Sequence, residues 1–164
     1  MWDQLEKEFS RTPSQGEIAK YMLDVGIRQE GDKLFFEKVA ISHSQVAEAL
    51  GKDKRVVAAT VKTIRKNKRL YSIYSKLQPT CNLINMANDM GWGVICIELN
   101  NPNMPGTLGR ITTKLGDMKI SIRQAQCPAT DCNMLFIITD NPITGDVLVA
   151  LKDVMNVKTI KIFT

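Results

Sequence analysis

Asn103-Met104-Pro105-Gly106-Thr107-Leu108 follows an apolar run, Val94 to Leu99, and precedes a stretch in which Leu108, Ile111 and Leu115 recur at helical spacing. A turn ending in Pro-Gly at a helix start leaves the first backbone N–H groups unpaired and aimed outward, where a carboxylate or phosphate can accept from them. Such a site needs no catalytic side chain. The same Pro105-Gly106 pair serves equally well as a tight turn into the helix. Working outward, the pattern reads strand (Val94 to Leu99), helix (Thr107 to Met118), strand (Ile120 to Ala125) and strand (Met134 to Thr139). A helix from about Gly145 to Met155, with Val147, Leu151 and Val154 inward, and a strand from Val157 to Phe163 complete it. This is the βαββαβ order of a ferredoxin-like sandwich. Its two split connections put both helices on one sheet face, which leaves the other face or an edge for pairing, so a self-dimer is expected.

Upstream, Trp2, Leu5 and Phe9 have helical spacing among charged residues. Thr12 is placed to cap a helix with Pro13 at its first position, Ile18, Met22 and Val25 on its inner side and Gly26 at its end. Gly31-Asp32 marks a turn between two short segments, near Ile27 to Gln29 and Leu34 to Phe36, that suit a small hairpin or a loop. Ser42-His43-Ser44-Gln45 has the form of a capping box ahead of a helix with Val46, Ala49 and Leu50 inward and Gly51 at its end. Asp53 then caps a second helix running to about Asn67. Two short helices joined by a turn with Gly at its first position have helix-turn-helix spacing.

At 100° per residue the second helix places Val57, Thr60, Val61 and Ile64 on one side. Arg55, Lys62, Lys66 and Arg69 converge on the other, with Ala58 and Ala59 among them. Small residues let a helix axis approach a major groove, while Arg and Lys reach phosphates or the acceptor edge of guanine. From Lys52 to Lys76 the positive residues are Lys52, Lys54, Arg55, Lys62, Arg65, Lys66, Lys68, Arg69 and Lys76, opposed only by Asp53. A solvated helix face also carries charge runs, but the capped helix upstream favours nucleic acid. The candidate DNA contacts are Ser44, Lys54, Arg55, Ala58, Lys62, Arg65, Lys66 and Arg69. Leu70 to Tyr74 suits either a following strand, giving a winged variant, or a helix end packing its tyrosines.

Charge divides the chain as the motifs do. Residues 1–92 hold 15 Lys and Arg against 11 Asp and Glu, and residues 93–164 hold 7 against 6, within a net charge of +5. An α+β chain of two units is expected: a helix-turn-helix domain over 1–78, a linker helix over 79–92 carrying Leu83, Ile84, Met86 and Ala87, and the βαββαβ domain over 93–164. Trp92 is placed either between the halves or against the second core. No apolar run reaches the roughly 20 residues of a membrane span, and the start lacks the order of a signal peptide, so the chain reads as soluble and cytoplasmic. Cys127 and Cys132 flank a hairpin loop as free thiols, a disulfide or half a metal site. With His43 the only histidine, a histidine-rich metal site within one chain is not expected.

The segment from Gly93 to Thr164, with Asn103-Met104-Pro105-Gly106-Thr107-Leu108 between its first strand and first helix, resembles an ACT domain. The whole chain, including Val46-Ala47-Glu48-Ala49-Leu50-Gly51 and Arg55-Val56-Val57 followed by Thr60-Val61 and Ile64, is similar to a small archaeal family of predicted regulators of amino acid metabolism that join a helix-turn-helix to an ACT domain. The resemblance implies an amino-acid effector bound at a dimer interface by the loop after the first strand. Asn103 and Met104 would line it, Asn103 bonding the ligand's polar head group, and the N–H groups of Gly106, Thr107 and Leu108 would receive its carboxylate. Ser121, Arg123 and Gln124 of a partner copy would close the site. Asn103 stands where an acidic or amide side chain occurs in the family pattern, and brings no fixed charge to an ammonium.

The functional expectation is a DNA-binding transcriptional regulator, homodimeric or a higher homo-oligomer, with double-stranded DNA and an amino acid as partners and no cofactor. The alternative is a regulatory subunit that binds and modulates a biosynthetic enzyme without touching DNA. An enzyme is not expected: no nucleophile and base are tied to His43, no paired acidic motif stands out, and no glycine-rich nucleotide loop occurs. Asp131 and Asp140 read as loop and strand-end residues.

Overall fold

The computed structural model describes residues 2–128, 130 and 133–163. They form two compact units, Met1–Cys81 and Asn82–Thr164. The fold is α+β with two antiparallel sheets. No helix among the described residues is long and apolar enough to cross a membrane. Asp131 and Cys132, and with the latter any pairing to Cys127, lie outside the described residues.

The first unit begins with helix α1 (Trp2–Leu5) and a 3-10 turn (Glu6–Phe9), on which Trp2, Leu5 and Phe9 are all buried, Trp2 stacked on Phe9. Helix α2 (Pro13–Val25) follows. Thr12 holds the N-cap position, but its backbone is in neither the extended nor the helical region and its side chain makes no capping bond. Pro13 at the first helical position, with φ already near helical, starts the helix instead. Gly26 ends it at φ +76°, and a Cβ there would lie 2.6 Å from Gln78 O and the Pro79 backbone, so only glycine fits.

Three short strands come next: β1 (Arg28–Glu30), β2 (Lys33–Phe36) and β3 (Val39–Ile41), in that order in the sheet. The hairpin reading of Gly31-Asp32 accounts for the first two, and β3 pairs onto them through a second turn. Helices α3 (His43–Ala49) and α4 (Lys54–Lys66) then carry the capping box of Ser42 with Gln45 and the Asp53 cap. Val57, Thr60, Val61 and Ile64 are buried along α4.

The winged reading of Leu70 to Tyr74 needs correcting. Lys68–Tyr74 is a helix, α5, capped by Asn67, whose side chain accepts from the Arg69 and Leu70 N–H groups. Leu70 and Tyr74 are buried, and the Tyr74 hydroxyl donates to the Ala19 carbonyl of α2 at 2.9 Å. The periodicity that suits a strand over five residues is here the inner side of a two-turn helix. The β-structure of this unit precedes the two helices.

In the second unit, strands β4 (Gly93–Leu99), β5 (Ile122–Gln126), β6 (Met134–Thr139) and β7 (Val157–Phe163) form one sheet in the order β5-β6-β4-β7, every neighbouring pair antiparallel. Helices α6 (Thr107–Asp117) and α7 (Gly145–Lys152) connect them, giving the ferredoxin-like βαββαβ topology. Ile95, Ile97, Leu99, Leu135 and Ile137 form one core cluster with Ile111 and Leu115 of α6 and Val147 and Leu151 of α7.

The linker-helix reading of 79–92 is also corrected. Two 3-10 turns, Ile84–Met86 and Asn88–Met90, stand there in place of a continuous helix. Leu83, Ile84, Ala87 and Trp92 pack with Val94 and Ile138 in a second cluster. Alternate residues of a strand face opposite ways, so Val94 and Ile138 belong to the sheet face that α6 and α7 do not cover. That face is therefore partly occupied by the chain's own segment, and β4 is buried on both faces from Gly93 to Ile97, while Glu98 is half-buried and pairs with Lys158.

Candidate nucleic-acid interface and effector loop

The capping box and the Asp53 cap fix where α4 begins, and the buried side fixes which way it faces. Ser42 N donates to Gln45 Oε1 at 2.8 Å, and Gln45 N donates to Ser42 Oγ at 3.2 Å. With Val57, Val61 and Ile64 inward, Arg55, Ala58, Lys62, Arg65 and Lys66 are exposed and Ala59 half-buried. Lys54 is exposed at the first position of α4, and Ser44 in the first turn of α3. Arg69 does not join them on one helix: α4 ends at Lys66, the chain turns at Asn67, and Arg69 lies on α5.

The cations differ in what holds them. Asp53 takes the Arg55 guanidinium through two bonds, and Asp32 from the β1–β2 turn pairs with Arg65. Lys52 pairs with Glu17. Lys54, Lys62 and Lys66 have no acidic partner among the described residues. The hydrogen bond from Arg55 holds the Asp53 carboxyl down to about 2, and the same pair raises the Arg55 guanidinium.

A groove of about 580 Å³ runs along this face, lined by Asp32, His43, Ala58, Val61, Lys62, Arg65 and Lys66. The Asp32 carbonyl accepts from His43 Nε2 at 3.1 Å. Sequence reasoning missed this wall, because the hairpin turn reaches α4 only through tertiary packing. It missed Gln29 too. That side chain is buried, and its amide nitrogen donates to the Val61 carbonyl of α4 and to the Gly31 carbonyl, both at 2.9 Å. The Gly31 N–H in turn donates to the Tyr71 hydroxyl at 3.0 Å. The hairpin turn is thus tied to α4 and α5 by polar bonds on either side of Gly31.

In the second unit the loop from Asn100 to Gly106 joins β4 to α6. Asn101 N donates to Asn156 Oδ1 at 2.8 Å, while Asn156 Nδ2 donates to the Asn101 carbonyl at 2.8 Å and to Thr107 Oγ1 at 2.9 Å. Thr107 Oγ1 donates to the Met104 carbonyl, and Asn103 N to Asn101 Oδ1, each at 3.0 Å. Asn156 holds φ +79°, the left-handed region in which asparagine is enriched. Asn103 and Leu108 are exposed, Met104 half-buried and Thr107 buried. Gly106 at φ +78° is the N-cap of α6 and has no side chain to cap the first turn.

The other candidates on the second unit are engaged locally. Arg123 pairs with Asp140 and lies over the Trp92 ring, 4.2 Å from its centroid. Gln124 Oε1 accepts from Leu83 N at 3.3 Å. Ser121 is exposed just before β5, its carbonyl accepting from Asp140 N at 3.1 Å. Arg123 and Gln124 therefore fasten the 83–92 segment to the sheet, a use that the strand pattern does not reveal. Among the described residues no three His, Cys, Asp or Glu side chains gather as a metal site would require.

No protein-family model matches the chain, and no curated protein matches it. Several solved structures overlap it loosely. PH0061 has 8% identity and a TM-score of 0.29, over 91% of this chain and 88% of that one. The transcriptional regulatory protein PF0864 from Pyrococcus furiosus, a member of the AsnC family, has 11% identity and a TM-score of 0.29, over 75% and 77%. AsnC of E. coli has 8% identity and a TM-score of 0.27, over 74% and 78%. Superposition this loose assigns neither fold nor function to the chain.

Proposed function

We propose that this chain is a DNA-binding transcriptional regulator of amino acid metabolism. The first unit binds duplex DNA through α4, and the second, as an ACT-type module, holds two copies together and takes an amino-acid effector. The observation that carries the DNA reading is the outer face of α4: Arg55, Lys62 and Lys66 in one exposed stripe with Ala58, and two of those cations without an acidic partner among the described residues. Charge left without a partner on a groove-lining helix suits phosphate, and alanines in the stripe let the helix approach base edges. Ser44 and Lys54, at the starts of α3 and α4, suit flanking phosphates.

The effector reading rests on the loop before α6. Its uncapped helix start offers backbone N–H groups of Gly106, Thr107 and Leu108 to a carboxylate, with Asn103 exposed beside them. In a dimer the two α4 helices would address half-sites about 34 Å apart, so a modest rotation between copies would change operator affinity.

The test is fluorescence anisotropy of labelled duplex DNA against salt, with and without each of the twenty amino acids. Steeply salt-dependent binding supports the DNA reading. Salt-independent weak binding, together with co-purification of a biosynthetic enzyme, would transfer the function to the regulatory-subunit alternative. DNA affinity unchanged by every amino acid would remove the sensing half alone.

A further inference from the structure

Arg55 stands at the start of the exposed stripe with its side chain 91% exposed, yet the plane of its guanidinium is fixed. Nε donates to Asp53 Oδ1 at 3.1 Å and Nη2 to Asp53 Oδ2 at 2.9 Å. Asp53 is itself immobilised, because Oδ1 also accepts the Arg55 backbone N–H at 2.7 Å as the cap of α4. Two bonds from a rigid planar group to a fixed carboxylate set the direction of the whole fork.

That arrangement uses one edge of the guanidinium and leaves the other. The five donors comprise Nε–H, two on Nη1 and two on Nη2. Asp53 occupies the Nε/Nη2 edge, so the Nη1/Nη2 edge, with two roughly parallel N–H bonds, points away from it. Guanine offers the matching pair of acceptors, O6 and N7, along its major-groove edge. One turn further along the same stripe Ala58 presents only a methyl group, so no long side chain stands between the fork and a groove floor. Arg65 is differently placed, drawn to Asp32 at the groove wall, and Lys62 and Lys66 are flexible point charges suited to phosphate.

We infer that Arg55 is the base-reading residue of α4, selecting guanine through its free Nη1/Nη2 edge, and that Asp53 is its positioning residue. The inference rests on the DNA-binding reading and deepens it, since it assigns a base to one side chain. A fork held in place before docking loses less rotamer freedom when it meets the base, which sharpens discrimination without adding a contact.

The experiment is selection of a randomised duplex library by the full chain, followed by sequencing. The wild type should enrich a motif with a strongly preferred guanine. R55K keeps the charge but lacks the fork, and should lower that preference by about 5- to 150-fold while leaving the other positions alone. D53N keeps a residue that caps as well as Asp, but its Nδ2 faces the Arg55 Nη2–H, so only one of the two supports survives. It should weaken the same position and no other, with unchanged far-ultraviolet circular dichroism and unchanged salt slope. A guanine preference that survives in R55K overturns the assignment, as does salt-dependent binding with no preferred position. If the wild type retains no duplex at any salt concentration, the DNA reading itself falls, and this inference with it.

Discussion

The outer face of α4 and the loop between β4 and α6 are both polar, both exposed and both candidate binding surfaces, yet they dispose of their polar groups in opposite ways. On α4, Lys54, Lys62 and Lys66 project with no acidic partner among the described residues. At the loop, Asn156 from the turn before β7 bonds to Asn101 and to Thr107 of α6, and Thr107 bonds to the Met104 carbonyl, so these side chains are spent on shaping the turn. Like charges crowded on a surface cost free energy that a polyanion relieves, whereas a closed amide network is stable as it stands. On the function proposed above, recognition on α4 would belong to side chains, and recognition at the loop to backbone N–H groups and Asn103.

The sharpest way to break this contrast is to remove the unpaired charge. K62A/K66A should weaken binding about equally on all duplex sequences and flatten the slope of log affinity against log salt by about 1.8, measured by anisotropy titration. An unchanged slope would mean that the stripe does not face phosphate.

Next comes the closed network. N156A removes the Asn101 and Thr107 bonds while retaining the positive φ, and should destabilise the second unit by about 2–4 kcal/mol in urea or thermal unfolding. N156G relieves the backbone strain without restoring the bonds and should cost less. Equal losses in the two variants would show that the bonds alone matter.

Smaller again is the effect of the one acidic side chain in the groove. D32N releases Arg65 and removes a carboxylate from the approach of a phosphate, and should tighten non-specific binding by about 2- to 5-fold at low salt. Weaker binding would instead assign Asp32 a constructive role in holding Arg65 toward DNA.

The smallest effect is on stability against pH. Asp53 is held down to about 2 in the folded chain against an ordinary 3.8. Its contribution is fully present above about pH 4 and is lost as pH falls from there toward 2. Urea unfolding of wild type and D53N between pH 2 and 5 should converge at the acid end. Because the Asp53 side chain is exposed, solvent screening keeps the difference small.

Much of the site's scaffold was legible because it is written locally. Ser42 with Gln45, and Asp53 at the next start, announce two helices within a few residues each, and the spacing of Val57, Val61 and Ile64 decides which side of α4 is buried. Over Leu70 to Tyr74 the same kind of reading left strand and helix open, since five residues do not separate the two periods. The placement of Arg69 failed for a related reason. Carrying the 100° rotation through Asn67 assumes that the helix continues, and nothing in the charge pattern signals that Asn67 stops one helix and caps the next.

Composition, capping residues and hydrophobic period were enough to determine two units, the βαββαβ order and a cationic helix face, because each depends on neighbours within a turn or two of chain. Only the tertiary structure decided what those elements do with one another. Asn101 meets Asn156, Asp32 meets Arg65, Gln29 reaches the Val61 carbonyl, and Gln124 holds the backbone at Leu83. Each of these pairs is separated by tens of residues, and amides, carboxylates and guanidinium groups satisfy many partners equally well. Which partner each one finds is set by how the apolar faces pack, and that is a property of the folded chain as a whole.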